Sequence, residues 1–110
     1  MVKKSSGKTR VLVAFGTRPE AIKLAPVIQA LRKDKRFRSV AVLTGQHREM
    51  VDQVLKLFRI KPDYDLDLMR DNQDLVSLSH RLLVKLQKIL RSFKPHWVVV
   101  QGDTTTAFVV

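Results

Sequence analysis

Five consecutive apolar residues at positions 11–15 (Val-Leu-Val-Ala-Phe), bounded by Arg10 and Gly16, predict a strand buried on both faces. Behind Gly16 the period changes to a helical one, carried by Ala21, Ile22, Leu24, Ala25, Ile28 and Leu31. Thr17-Arg18-Pro19-Glu20 supplies the start of that helix. Thr17 can cap, Glu20 three residues on completes a capping box, and Pro19 sits in the first turn, where its missing N–H costs nothing. Pro26 falls inside the pattern and predicts a kink or an early break. Residues 39–44 (Ser-Val-Ala-Val-Leu-Thr) predict a second strand, ended by Gly45. Residues 48–58 predict a second helix, with Met50, Val51, Val54, Leu55 and Phe58 on one stripe. Pro62-Asp63 reads as a turn, and residues 66–68 (Leu-Asp-Leu) as a short strand. Residues 75–93 predict a long amphipathic helix with Leu75, Leu78, Leu82, Leu83, Leu86, Ile89, Leu90 and Phe93 as its apolar face, ended by Pro95. Residues 97–101 (Trp-Val-Val-Val-Gln) predict another buried strand, which runs into Gly102-Asp103-Thr104-Thr105-Thr106.

Strands alternating with helical segments argue for an α/β fold, a Rossmann-like parallel sheet with helices on both faces. No repeat or low-complexity tract interrupts it. Residues 1–10 read as a basic polar leader and residues 11–110 as part of one such domain. The sequence stops on apolar residues, Phe108-Val109-Val110, where a helix is due to begin, so the chain is expected to be a fragment lacking a second domain.

Composition narrows the chemistry. The 110 residues allow one domain at most, and 45% hydrophobic against 28% charged residues is enough to build a core. With no cysteine, a disulfide framework, a thiolate metal site and a cysteine nucleophile are all excluded. The apolar run behind the basic start is 5 residues, too short for a signal peptide or a membrane span, so no membrane partner and a cytoplasmic location are expected. Lys and Arg number 21 against 10 Asp and Glu, a net charge of +11. These cations are scattered on helix ends and polar faces, with one Trp and one Tyr and no aromatic interleaving to stack bases, so no nucleic-acid partner is expected either.

Ligands of open doubly wound sheets bind beyond the carboxyl ends of the strands, where strand order reverses. In the usual order the strand at 11–15 neighbours the one at 97–101, which brings Gly16-Thr17-Arg18-Pro19-Glu20 beside Gly102-Asp103-Thr104-Thr105. The first loop suits a phosphate: Gly16 admits close backbone approach, the helix start offers N–H groups and a positive dipole end, and Arg18 adds a forked cation. Lys23 follows roughly 140° further round the helix. On spacing alone, Arg18 and Lys23 serve equally well as solvated charges, and neither G-x-G-x-x-G nor the P-loop lysine motif is present. Asp103 suits a sugar contact, acid–base chemistry or a helix cap. His47, at the next helix start, is either a substrate contact or a solvated cap. His80 and His96 have no metal partners by spacing and read as structural. Asp63, Asp65 and Asp67 open like a calcium loop, but Leu68 and Asp74 stand where that loop needs Gly and Glu, so no metal is expected.

Taken in order, Gly-Thr-Arg-Pro-Glu-Ala-Ile-Lys (16–23), Leu-Ala-Pro-Val (24–27), Thr-Gly-Gln-His-Arg-Glu-Met (44–50), Asp-Gln-Val-Leu (52–55), Pro-Asp-Tyr-Asp-Leu (62–66) and Gly-Asp-Thr-Thr-Thr (102–106) closely resemble the non-hydrolysing UDP-N-acetylglucosamine 2-epimerases. The match runs from about Val11 to the last residue and corresponds to roughly the opening third of such an enzyme. The resemblance implies a two-domain, glycosyltransferase-B-like architecture with a UDP-sugar in the cleft, a homodimer when full length, and a product used for cell-surface polysaccharide. It implies interconversion of UDP-GlcNAc and UDP-ManNAc with no cofactor, by elimination of UDP across C1–C2 and re-addition to the other face. By motif position it implies Arg18, Lys23, Gly16 and Gly102 as substrate contacts and Asp103 as the catalytic carboxylate, with Glu20 a local capping residue. Gln46 and Gln73, with His47 nearby, fall where some members hold a second, activating UDP-GlcNAc. Glu49 and Asn72 stand in place of a glutamine and an arginine there, so that allosteric site is expected to be missing. The remaining catalytic groups lie past residue 110, so the chain alone is expected to be inactive. Two other readings stay open: a glycosyltransferase of the same architecture, which needs an acceptor, and a basic nucleotide-binding module without activity.

Overall fold

A strand that is apolar at every position must be covered on both faces, and the first strand is. The computed structural model describes residues 7–45, 48–68 and 74–102, with the side chains of Arg48 and Glu49 left aside. β1 (Thr9–Phe15) pairs in parallel with β2 (Phe37–Leu43) on one side and with β4 (Trp97–Val99) on the other, and the two-residue β3 (Tyr64–Asp65) pairs with β2. The order is β3-β2-β1-β4. Alternate residues of β1 feed two separate cores. Val11, Val13 and Phe15 pack with Ala41 and Leu43 against α1 (Arg18–Lys33) and α2 (Arg48–Phe58). Leu12 and Ala14 pack with Val40 and Val42 against α3 (Leu75–Phe93). The result is a Rossmann-like α/β sheet with helices on both faces.

The helices bury narrower stripes than the sequence reading allots them. α1 buries Ala21, Leu24, Ala25 and Ile28, at spacings of three, one and three residues, whereas Ile22 falls off that stripe and is exposed. α3 buries Leu78, Leu82, Leu86, Ile89 and Phe93, leaving Leu75 and Leu83 in solvent. Asp74 caps α3 by accepting from the Ser77 N–H at 2.7 Å, which holds its carboxyl below the usual range. At the other end of α3, Lys94 takes the left-handed conformation (φ 52°) that closes the helix.

Four expectations need correction. α1 does not break at Pro26: that exposed proline removes one backbone hydrogen bond, a loss outweighed by the burial of Leu24, Ala25 and Ile28 on the other face. β1 begins at Thr9, inside the expected leader, because the Thr9 N–H reaches Arg36 O at 3.0 Å. β3 lies at Tyr64–Asp65 rather than 66–68, its start set by Asp63, whose N–H reaches Ala41 O at 2.9 Å while its Oδ2 accepts from the Ala41 N–H at 2.7 Å. β4 is not buried on both faces. It pairs with β1 alone among the described residues, which leaves Trp97 67% exposed.

Candidate functional site

With β2 and β3 on one side of β1 and β4 on the other, strand order reverses between β1 and β4. That crevice is where open α/β sheets hold ligands. Extending the Val13↔Val99 register by three residues sets Gly16 level with Gly102, the first residues of the two loops picked out from topology.

The first loop is held from within. Glu20, 2% exposed, accepts with Oε1 from the Gly16 N–H at 2.7 Å and the Thr17 N–H at 3.0 Å. Thr17 occupies the N-cap position with extended backbone, but its buried Oγ1 finds no hydrogen-bond partner. The Glu20 half of the capping box therefore carries the hydrogen bonds, in keeping with its reading as a local capping residue. It also means that the Gly16 and Thr17 amides, expected to face a phosphate, are already engaged.

Positive charge is left to the side chains. Arg18 and Lys23, both exposed, line an open groove of about 520 Å³ with Thr17, Pro19, Ile22 and Met50. Neither forms an ion pair with a described residue. Ile22 and Met50 are walls the sequence reading assigned to the core; at 44% and 50% exposed they present apolar surface to the groove instead. The signal for Ile22 was its place one residue off the Ala21-Leu24-Ala25-Ile28 stripe.

Gly102, just past the end of β4, adopts φ +87°, and no described residue lies within 4 Å of where a Cβ would stand. Gly45, which the sequence reading used only as a strand break, is more constrained. At φ +81° a Cβ there would lie 2.9 Å from the Asp67 backbone, because the Leu68 N–H is bonded to Thr44 O next door at 2.9 Å. Asp103, Gln46, His47 and Gln73 lie outside the described residues. His96 is engaged structurally: its Nδ1 accepts from the Arg10 N–H at 2.8 Å, and its own N–H donates to Arg10 O. Among the described residues no group of three or more His, Cys, Asp or Glu is arranged to hold a metal. Nor is any described helix long and apolar enough to cross a membrane.

The fold defines the class, a Rossmann-like α/β domain. Comparison with known proteins narrows it. A family profile described as UDP-N-acetylglucosamine 2-epimerase matches residues 29–110. The chain is 56% identical over 97 residues to the UDP-N-acetylglucosamine 2-epimerase of Yersinia pestis, covering 88% of this chain and 26% of that protein. It superposes on the crystal structure of the Neisseria meningitidis UDP-GlcNAc 2-epimerase bound to UDP-GlcNAc with TM-score 0.83 and 52% identity, covering 92% of this chain and 28% of that one. The Methanocaldococcus jannaschii UDP-GlcNAc 2-epimerase in complex with UDP-GlcNAc and UDP aligns with TM-score 0.83 at 31% identity, again over 92% of this chain and 28% of its own. The chain belongs to the UDP-N-acetylglucosamine 2-epimerase family. It spans about a quarter of the length of the relatives it matches.

Proposed function

We propose that this chain is the opening segment of a non-hydrolysing UDP-GlcNAc 2-epimerase and supplies half of its nucleotide-sugar site. The observation that carries the reading is the groove between the starts of α1 and α2, where Arg18 and Lys23 stand without carboxylate partners among the described residues. Two free cations there suit a diphosphate, and the departing UDP of an elimination needs such stabilisation. Asp103, the residue after Gly102, is the carboxylate proposed to act at the sugar, where removing the weakly acidic C2 proton calls for a positioned base. Gly16 and Gly102 keep both loops free of side chains where the ligand passes. The residues ahead of Thr9, where β1 opens, are proposed as a leader and the rest as part of the N-terminal lobe of a two-domain, glycosyltransferase-B-like, cytoplasmic homodimer. Solved relatives bound to UDP-GlcNAc support the choice of ligand.

The test is conversion of UDP-GlcNAc to UDP-ManNAc, with no acceptor and no cofactor added, by the chain carried in a protein of its relatives' full length. Asp103→Asn is expected to abolish conversion while UDP still binds. Arg18→Ala and Lys23→Ala are each expected to weaken UDP binding about 10- to 100-fold, the loss of one hydrogen bond to a charged group. The 110-residue chain alone is expected to show no conversion. Sugar transfer that depends on an added acceptor, or undiminished turnover in Asp103→Asn, overturns the proposal.

A further inference from the structure

The charges of this chain are sorted between the two ends of the sheet. Of the described carboxylates, Glu20, Asp52, Asp65, Asp67 and Asp74 lie at or beyond the carboxyl ends of the strands, on the side of the groove. At the opposite edge, where the strands begin and α1 and α3 end, cations predominate. On the α3 side Arg10 and Arg38 are register partners on neighbouring strands, and Arg91 and Lys94 close the helix beside them. Arg10 Nε donates to Lys94 O at 2.9 Å, and the Arg38 guanidinium lies 5.7 Å from the centre of the Phe93 ring, so these cations are fixed rather than trailing. On the α1 side stand Lys33, Lys35 and Arg36, with Asp34 as their one carboxylate, bonded to Arg36. That makes seven cations against one carboxylate; Arg32 in the last turn of α1 and Asp63 ahead of β3 add one of each as an ion pair, so the excess in this set stays at six.

Helix dipoles do not account for the excess. Two helix C-termini contribute about half a negative charge each. Lys33 and Arg91 already offset that; Arg10, Lys35, Arg38 and Lys94 remain. The patch spans both layers of the domain, so it is a face and not a stripe. A flat polyanion engages all of it at once, whereas a duplex or an acidic peptide meets only one row. With one Trp and one Tyr in the chain, there are too few aromatics for a base-stacking track. We infer that the strand-start edge of the sheet is a docking face for an anionic phospholipid surface. This departs from the expectation of no membrane partner, which rested on the lack of a spanning or export segment. A seven-residue strand is about 23 Å long, more than a Debye length at physiological salt, so the groove stays clear of the docked surface.

The experiment is flotation of the purified full chain with vesicles of one part phosphatidylglycerol to three parts phosphatidylcholine, against pure phosphatidylcholine, at 50, 150 and 500 mM salt. Binding is expected to the anionic vesicles alone and to fall steeply with salt. Each neutralised cation is expected to reduce partitioning about five-fold, so Lys35→Ser/Lys94→Ser loses about 25-fold. Lys56→Ser/Lys88→Ser removes the same charge from the helix flanks and is expected to lose less than about three-fold. Equal losses in the two double variants assign binding to overall charge and overturn the inference. So does no binding to anionic vesicles at 150 mM salt, or displacement from them by an equal charge concentration of duplex DNA. Circular dichroism of both variants confirms that the comparison is between folded proteins.

Discussion

Replacing Glu20 by alanine tests how the ligand loop is held. The side chain is 2% exposed, and its Oε1 is the acceptor for two backbone donors, Gly16 N at 2.7 Å and Thr17 N at 3.0 Å. Truncation leaves both N–H groups without that partner. A buried donor left unmade costs about 1–3 kcal/mol, and two would cost about 2–6. Water entering from the adjoining groove recovers part of this, which brings the expected loss to about 2–4 kcal/mol. A domain of this size has about 5–15 kcal/mol in all, so the loss is a large fraction and shows as a clear fall in urea midpoint at unchanged slope. Glu20→Gln keeps an acceptor oxygen at nearly the same place and is expected to cost about 1 kcal/mol. The ordering carries the reasoning: a Glu20→Ala loss below about 1 kcal/mol, or a Glu20→Gln loss equal to it, refutes the view that this oxygen clamps the loop.

The two glycines at strand ends separate backbone strain from crowding. Gly45→Ala meets both a positive φ and the Asp67 backbone at 2.9 Å, and is expected to cost about 3 kcal/mol or more; Gly102→Ala, at a similar φ with no described residue within 4 Å of its Cβ position, about 1–2 by urea unfolding. Asp34 is held down from 3.8 to about 2 by the hydrogen bonds from Arg36. A carboxyl depressed in the folded state adds stability above its ordinary value, and that stability is lost as pH falls from about 4 towards 2. Asp34→Asn is therefore expected to be slightly less stable at pH 6, to lose less stability between pH 5 and pH 2.5, and to converge with the parent at the acid end; parallel urea midpoints for the two proteins across that range count against it.

What was legible in the sequence follows from the range of each signal. The Glu20 half of the capping box and the boundaries of α2 and α3 depend on neighbours a few positions apart, and these were read correctly, whereas the Thr17 hydroxyl does not cap. β1 was read as doubly buried because no polar residue interrupts it from Val11 to Phe15, and every one of those side chains is buried. The same logic failed for β4, since a run of apolar residues reports what a strand can tolerate and not what is placed against it. β3 failed for another reason: two residues have no period, and its position is set by the bonds of Asp63 to Ala41, 22 positions away. Ile22 and Met50 were lost to the core because apolar character alone does not separate a core stripe from the wall of a groove. The pairing of β1 with β4, which sets Gly16 level with Gly102, was recovered from topology alone.

The manner in which Glu20 is used bears on how such a loop meets a phosphate. In glycine-rich nucleotide loops the cradle is made of backbone N–H groups at the start of a helix. Here two of those groups are spent inside the protein, on a buried glutamate that also sets an acceptor against the positive end of the helix dipole. The loop gains a fixed shape and gives up part of its backbone capacity for anions. In the proposed site, side chains replace that capacity, and the two that line the groove are cations with no carboxylate partner among the described residues. The proposed site draws its affinity from Arg18 and Lys23 and its geometry from Glu20. Stability and ligand binding at the start of α1 therefore separate by residue: truncating Glu20 is a folding lesion first, while truncating either cation leaves the fold intact and removes the reason for the groove.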